Sequence, residues 1–372
     1  MANHASLLER LVPALLAPAL LAPALLVSAA AAQSSHTTNN TPPRLFVTNS
    51  GGASVGVVDS ESHALLATIP VGLNPQDIVF TARGDRALVA NMTSDTVSVI
   101  ETATLTVIAT VPVSDAPRSL VATRDGSKAY VGCANGVVDV IDLATFTWSA
   151  SISVGGPYAD SVNGLCVSPD GSRVYALWGN LIAIDTRTDA VVASIYAGNT
   201  PTSLALSPDG AFAYVPCAFG YGAFVFAGSL ATVDLASGAV VNSTNLWSIP
   251  STISISPDGT TAIVANQSVW ANTGYAAGFL PSPWVTRVDL VSHTLAGGFN
   301  AVKPAGESQY DTDASELFIA VPSLNHVKVI DPLTLGLVGT IATGTSPRAM
   351  ALEPVMTPAP TRPLSPAAKR RL

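Results

Sequence analysis

Two acidic and two basic side chains could perform acid–base chemistry if the fold brings them together. Glu307 and Asp77 are candidate general bases, and Arg118 and Arg348 could stabilise negative charge that develops in a reaction. They belong to a larger set of polar residues that lie just after regularly spaced prolines: Asp77, Arg118, Asp160, Thr202, Thr252, Glu307 and Arg348. Such a set would bind a small polar ligand or cation, or would form a solvated surface with internal salt bridges.

Eight aromatic side chains form a second candidate site. They are concentrated in two segments that also contain glycine and asparagine: Phe219, Tyr221, Phe224, Phe226, Trp270, Tyr275, Phe279 and Trp284. Aromatic residues on adjacent loops are typical of a surface that binds a protein or stacks against a sugar. The alternative is that the two segments pack against each other as a lid without a ligand.

Other motifs give no support for a metal, a cofactor or a known catalytic centre. The segment Asp311–Glu316 resembles the start of a calcium loop, but it lacks the later ligands and aligns with a hairpin turn found elsewhere in the chain. The chain has no G-x-S-x-G motif and no C-x-x-C-H haem motif. Cys133 and Cys217 occupy the same repeat position two units apart, which is too far for a disulfide. We therefore assign no catalytic residue, no metal ligand and no cofactor.

A repeat must position these candidate residues. Seven similar units, about 45 residues each, end at prolines, which is the period of propeller blades or solenoid turns; the prolines are Pro75, Pro117, Pro157, Pro201, Pro250, Pro304 and Pro347. One unit reads as four strands, Ser119–Thr123, Lys128–Gly132, Val137–Asp142 and Thr147–Val154, joined by hairpins. A Ser-Pro-Asp-Gly turn recurs between the first two strands. The carboxylates that end the third strands are best explained as turn acceptors.

The two ends of the repeat predict a closed ring. The first unit begins at its second strand, Leu45–Asn49, and the last segment, Arg348–Leu352, supplies only an inner strand. We therefore predict an all-β, seven-bladed β-propeller of four-stranded antiparallel blades over residues 44–354, closed by the C-terminal strand completing the first blade. Units five and six carry insertions between their second and third strands, on the face where the inner strands begin.

The repeat resembles a known family. Phe46–Asn49, Leu88–Asn91, Ile263–Asn266 and Thr96–Ile100 are similar to the recurring elements of the YVTN family of bacterial and archaeal β-propeller repeat proteins. The resemblance covers residues 44–354, and it implies an exported or surface-exposed seven-bladed propeller. It says little about function, because the motif consists of turn and core residues.

The termini predict export. Arg10, an apolar stretch from Leu11 to Val27 and a small-residue run ending at Ala32 are typical of a signal peptide over residues 1–32, cleaved after Ala32. Residues 33–43 are expected to form a flexible linker, and residues 355–372 a disordered, proline-rich, basic tail. The protein would then be periplasmic or secreted, with no transmembrane segment in the mature chain.

The charge of the chain narrows the class of partner. The net charge is −8, and the tail contributes +4, so residues 33–354 carry −12. An acidic surface disfavours nucleic acid. The leading hypothesis is a non-catalytic, monomeric binding module at the cell envelope whose partner is an unidentified envelope protein or glycan. The alternatives are a lactonase- or cyclase-like enzyme with its active site at the channel mouth, and a structural envelope repeat protein.

Overall fold

The structure is a computed structural model that describes residues 42–155, 162–219, 227–246, 248–268, 285–299 and 305–354. Its strands form seven four-stranded antiparallel sheets, which confirms the predicted seven-bladed β-propeller. Blade 1 contains β28 (Pro347–Leu352), β1 (Arg44–Asn49), β2 (Ser54–Asp59) and β3 (Leu65–Pro70), and blade 2 contains β4 (Pro75–Phe80), β5 (Arg86–Asn91), β6 (Thr96–Glu101) and β7 (Thr106–Pro112).

The remaining blades follow in chain order. Blade 3 contains β8 (Ser119–Ala122), β9 (Lys128–Gly132), β10 (Val137–Asp142) and β11 (Thr147–Ser153), and blade 4 contains β12 (Gly164–Val167), β13 (Arg173–Trp178), β14 (Asn180–Asp185) and β15 (Ala190–Ile195). Blade 5 contains β16 (Ala205–Leu206), β17 (Phe212–Phe219), β18 (Ala227–Asp234) and β19 (Ala239–Asn245), and blade 6 contains β20 (Ile249–Ile255), β21 (Thr261–Ser268), β22 (Val285–Asp289) and β23 (Thr294–Phe299). Blade 7 contains β24 (Ser308–Tyr310), β25 (Leu317–Val321), β26 (His326–Ile330) and β27 (Leu337–Ala342).

Helical structure is confined to two short turns in the described residues. Ala134–Gly136 and Pro322–Leu324 form single 3-10 turns, each between the second and third strands of its blade. No described helix has the length and apolar character needed to cross a membrane.

The ring closes within blade 1, as the sequence predicts. β28 pairs with β1 in antiparallel register, with Phe46 opposite Ala351 and Val47 opposite Met350. The Arg44 guanidinium donates to both carboxylate oxygens of Glu353, at 2.7 and 2.6 Å, which ties the first strand to the residue after the last strand. Buried apolar clusters fill the space between each pair of neighbouring blades. The core is therefore a ring of seven interfaces around a central channel.

Local turn chemistry shapes each blade in the way the sequence indicates. In the Ser168–Gly171 turn, the Ser168 hydroxyl donates to Asp170 at 2.5 Å, and Gly171 has a φ of +73°. At the end of the third strand of blade 3, the Asp142 carboxylate accepts N–H bonds from Ala144 and Thr145, each at 2.9 Å. These hydrogen bonds lower the pKa of Asp142 below its ordinary value, as at five equivalent aspartates. The rim carboxylates are turn acceptors and not a catalytic set.

In blades 1 and 2 the recurring asparagine packs closely against the connection that enters its blade. Asn91 ends β5 and is completely buried, and a Cβ atom added to Gly72 would lie 2.6 Å from its Cγ. Asn49 repeats the arrangement with Gly344, whose N–H donates to the Asn49 side-chain oxygen at 2.9 Å. The backbone of the incoming connection thus passes directly over the asparagine, at a distance that only glycine permits.

Candidate functional site

The central channel contains two cavities that meet at a ring of shared residues. The upper cavity, of about 870 Å³, lies where the inner strands begin, and the lower cavity, of about 500 Å³, extends towards the Ser-Pro-Asp-Gly turns. Asp77, Glu307, Leu165 and Leu204 line both cavities. The two carboxylates therefore lie at the boundary between the upper and lower parts of the channel.

Charged residues occupy one half of the upper cavity. Among the described residues that line it, only Glu307, Arg348, Asp77 and Arg118 carry charge. They belong to blades 7, 1, 2 and 3, whose inner strands contact one another in that order. We call these four residues the charged arc; negative and positive side chains alternate along it.

The register of the inner strands shows that the residues of the predicted polar set do not all occupy the same position in their blades. Asp77 pairs with Ala90 and Thr252 with Ala265, whereas the residue in the matching position of blade 3 is Ser119, which pairs with Gly132. Arg118 therefore precedes this register by one residue, and Arg348 holds the corresponding place in blade 1. The predicted polar set groups them with Asp77 because each lies just after its proline, but Asp77 is the second residue after Pro75, whereas each arginine directly follows its proline.

The Asp77 carboxylate is held by backbone donors from two blades. It accepts N–H bonds from Ile78 and, across the blade interface, from Leu120, both at 2.7 Å. Burial raises the pKa of Asp77 to about 6, and the two N–H donors and Arg348 oppose that rise. Leu120 lies on β8, the innermost strand of its blade, whose channel side has no neighbouring strand. The Asp77 carboxylate therefore accepts a backbone N–H that no strand could pair.

Glu307 repeats this arrangement between blades 7 and 1. Its carboxylate accepts the N–H of Met350 at 3.2 Å. Burial and the negative charge of Asp77 raise the pKa of Glu307 to about 8, against the lowering effect of the Met350 N–H and of Arg348. The two carboxyl groups therefore oppose each other's ionisation, and Glu307, whose pKa is raised further, is the member of the pair that can retain a proton and donate a hydrogen bond.

The two arginines of the charged arc have no ion-pair partner among the described residues. Within the described residues, neither guanidinium forms an ion pair, and the buried Nε atom of Arg118 has no hydrogen-bond partner. Arg348 opens onto the channel but is surrounded by protein. That desolvation, together with the charge of Arg118, lowers the pKa of Arg348, whereas Glu307 and Asp77 act in the opposite direction.

Uncharged polar residues line the other half of the upper cavity. We call this set, contributed by blades 4 to 6, the neutral arc: Asn163, Thr202, Ser203, Ser251 and Thr252. The hydroxyls of Thr202, Ser251 and Thr252 donate to backbone carbonyls at 3.2, 3.0 and 3.1 Å. Their lone pairs therefore remain free to accept hydrogen bonds from a ligand.

Trp178 is a lining residue that the sequence comparison did not select. It ends β13, at the position that asparagine holds in blades 1, 2 and 6, and it is the only aromatic residue among the described residues lining the upper cavity. Its ring packs closely against Gly155, and its Nε1 atom is buried without a hydrogen-bond partner in the described structure. The departure from asparagine was the available signal in the sequence.

Most of the predicted aromatic site falls outside the described residues. Phe219 ends β17, and the other seven aromatic residues are not described, nor is Asp160: Tyr221, Phe224, Phe226, Trp270, Tyr275, Phe279 and Trp284. Strand pairing extends to Phe219 opposite Ala227, so part of the blade-five insertion is a longer hairpin and its connecting segment is 220–226. In blade 6 the connecting segment is 269–284. Both segments connect strand ends that lie on the face where the upper cavity opens.

Cysteine and metal chemistry find little support in the described structure. All three cysteines are free, and Cys166, which lines the lower cavity, donates to the Leu204 carbonyl at 3.5 Å. Burial and the charge of Asp77 raise the pKa of Cys166 to about 12, so its thiol is a poor nucleophile at neutral pH. No cluster of three or more His, Cys, Asp or Glu side chains that could hold a metal ion occurs within the described ranges.

Comparisons with known proteins identify the fold but not a family. No protein-family model and no curated protein sequence matches the chain. Among solved structures, hydrazine synthase from Kuenenia stuttgartiensis is similar over 74% of this chain and 88% of that chain, with a TM-score of 0.65 and 23% identity. A functionally unknown protein from Desulfotomaculum acetoxidans matches over 83% and 98%, with a TM-score of 0.66 and 17% identity. Dihydro-heme d1 dehydrogenase NirN in complex with DHE matches over 85% and 76%, with a TM-score of 0.59 and 14% identity. At these identities the likeness shows the β-propeller fold alone, and membership of the YVTN family stays a prediction.

Proposed function

We propose that this protein is an exported, non-catalytic binding module that acts at the cell envelope through the face onto which the upper cavity opens. The observation that carries the proposal is the upper cavity itself, which holds two guanidinium groups without ion-pair partners among the described residues. Charged groups that serve only stability are usually paired. Export rests on the predicted signal peptide over residues 1–32.

The aromatic segments of blades 5 and 6 would supply affinity on the same face. Pro201 pairs with Cys217, and Ile249 pairs with Ser268, so the strands that carry these segments end beside the start of their inner strands. Those inner strands also supply the neutral arc. A ligand in the upper cavity would therefore meet both groups of residues, with the cavity giving polar selectivity and the aromatic residues giving contact area.

Cross-linking capture in envelope preparations tests this proposal. One variant replaces segments 220–226 and 269–284 with four-residue turns, and a matched control replaces the turn 143–146, which lies on the opposite face. We expect the wild-type protein and the control to capture the same partner and the first variant to lose it, once circular dichroism shows that all three are folded. Equal capture by all three would refute the proposal and leave a structural envelope role.

An enzyme with its active site in the channel is the second candidate. The observation that favours it is the pair of carboxylates with raised pKa values, Asp77 at about 6 and Glu307 at about 8, beside Arg348. One member would be ionised and the other protonated at neutral pH, as a general base and a general acid require. Sugar-lactone hydrolysis by the purified protein, abolished by Glu307→Gln, would establish this candidate. Equal lactone hydrolysis by the wild-type protein and the Glu307→Gln variant would exclude an enzyme that uses Glu307.

A further inference from the structure

Two guanidinium groups with unused donors point to an anionic ligand. Arg348 and Arg118 lie on blades 1 and 3, on either side of the Asp77 blade, and their side chains donate no hydrogen bond to another described residue. Asp77 forms no close ion pair with either arginine, although its charge acts on Arg348; its two oxygens accept the N–H groups of Ile78 and Leu120. Guanidinium groups in this situation bind planar carboxylates through paired hydrogen bonds.

The acidic members of the charged arc favour a ligand with a single negative charge. Asp77 and Glu307 both line the upper cavity, and the whole chain carries a net charge of −8. A dianionic phosphate would be repelled by both and would require more cations than two arginines. Glu307, whose pKa is raised by burial and by Asp77, can donate a hydrogen bond to a carboxylate while it holds a proton. The balance of charge in the upper cavity thus matches a monoanion.

The neutral arc favours a ligand that carries several hydroxyl groups. It offers hydroxyl acceptors from Thr202, Ser251 and Thr252, and the amide of Asn163. Trp178 adds an aromatic ring to the same wall, a residue type on which sugar rings stack. The volume of about 870 Å³ is within the range of roughly 300–1,000 Å³ found for small-molecule sites.

We propose that the upper cavity binds an acidic sugar, with Arg118 and Arg348 holding its carboxylate and the neutral arc contacting its hydroxyls. The ligand is a uronic acid, either free or at the end of an envelope glycan. This inference rests on the proposed binding function and adds the ligand class to it.

Isothermal titration calorimetry at pH 7 tests the ligand class. The probes are D-galacturonate, D-glucuronate and tri-galacturonate, compared with D-galactose and inorganic phosphate. We expect at least one uronate to bind at least tenfold more tightly than D-galactose and phosphate. Tighter binding of the trimer would assign the site to a glycan end, and tighter binding of a monomer would assign it to a free sugar acid.

Substitutions locate the site and separate charge from geometry. Arg348→Gln and Arg118→Gln should each weaken uronate binding about 10- to 100-fold, the loss expected for hydrogen bonds to a charged partner. Arg187→Gln, an exposed arginine on the rim of blade 4, makes the same charge change and should leave binding unaltered. Arg348→Lys keeps the charge without the forked donors and should fall between wild type and Arg348→Gln.

Three results would overturn the inference. They are binding of D-galactose as tight as that of every uronate, unchanged uronate binding in both arginine variants, and no heat from any uronate with folded protein. If one of these occurred while envelope capture still depended on segments 220–226 and 269–284, the ligand class alone would be wrong. If capture also failed to depend on those segments, the proposed binding function would be wrong as well.

Discussion

Replacing Glu307 with Gln would measure the cost of ionising a carboxylate inside the channel. The pKa of Glu307 rises from its ordinary value of 4.5 to about 8 in the folded protein. The native state therefore keeps a proton that the unfolded chain has released, so stability declines as the pH rises above about 5. The decline ends above about pH 8, where Glu307 is ionised in both states. Gln stays neutral and can still accept the Met350 N–H, so the variant should not show this decline.

The magnitude follows from the pKa shift and the position of the side chain. Each pKa unit corresponds to about 1.4 kcal/mol, and water in the channel screens part of the cost, so we expect about 2 kcal/mol. Glu307→Gln should match the wild type within about 0.5 kcal/mol at pH 5, and it should exceed it by about 2 kcal/mol at pH 9. Urea unfolding at pH 5, 7 and 9, at constant ionic strength, measures both quantities.

Two further variants make the result specific. Glu61→Gln, at an exposed turn of blade 1, controls for loss of a carboxylate at the surface and should show no such pH-dependent gain. Asp77→Asn should lose stability at pH 5, because one amide oxygen cannot replace two carboxylate oxygens that accept separate N–H bonds. This loss should shrink at higher pH, where the variant avoids the cost of ionising Asp77. A difference between Glu307→Gln and wild type that stayed constant from pH 5 to 9 would refute the placement of Glu307 in a desolvated wall of the channel.

Three more predictions concern the connections, the ring closure and the ligand. Gly72→Ala should lower the free energy of unfolding by about 2 kcal/mol, because its methyl group would lie 2.6 Å from Asn91; urea titration measures this, and an unchanged midpoint would contradict the tight packing. Arg44→Ala should cost about 1–2 kcal/mol through loss of the paired bonds to Glu353, seen as a lower melting temperature that Glu353→Gln largely reproduces. Uronate affinity should fall about tenfold between pH 6 and pH 9, because ionisation of the Asp77–Glu307 pair is completed in this range and repels the carboxylate, and calorimetry with Glu307→Gln should show a flatter profile.

The sequence predicted those parts of the structure that local chemistry determines. The Ser168–Gly171 turn and the capping role of Asp142 depend on residues a few positions apart, so their types were enough to predict the hairpins. The ring closure was predictable because the first and last repeats are incomplete in complementary ways. The strand extension within the blade-five insertion was not predicted, because the extra pairing of Phe219 with Ala227 continues a strand without an alternation that distinguishes it from a loop.

The candidate site was predicted less completely because its contacts join separate blades. Asp77 was selected from its place after a proline, but its bond to Leu120 crosses an interface that no repeat alignment records. Arg118 is offset by one residue because it directly follows Pro117, whereas Asp77 is the second residue after Pro75. Trp178 was not selected because its position in the repeat varies between blades and holds a buried asparagine in blades 1, 2 and 6. Propeller sites are assembled from one or two residues of each blade, so the sequence shows the parts without their geometry.

The closure of blade 1 imposes an order on the maturation of the protein. Within this blade β1 is synthesised before β28, the strand that covers its inner edge, and the Arg44–Glu353 pair joins residues 309 positions apart. During synthesis, which starts at the N-terminus, the inner edge of β1 therefore stays unpaired until almost the whole chain has been made. Pairing over such a sequence separation is also slow. During that interval β1 can accept β28 from a second copy as readily as its own. Refolding at high protein concentration should consequently produce domain-swapped dimers, which dilute refolding avoids.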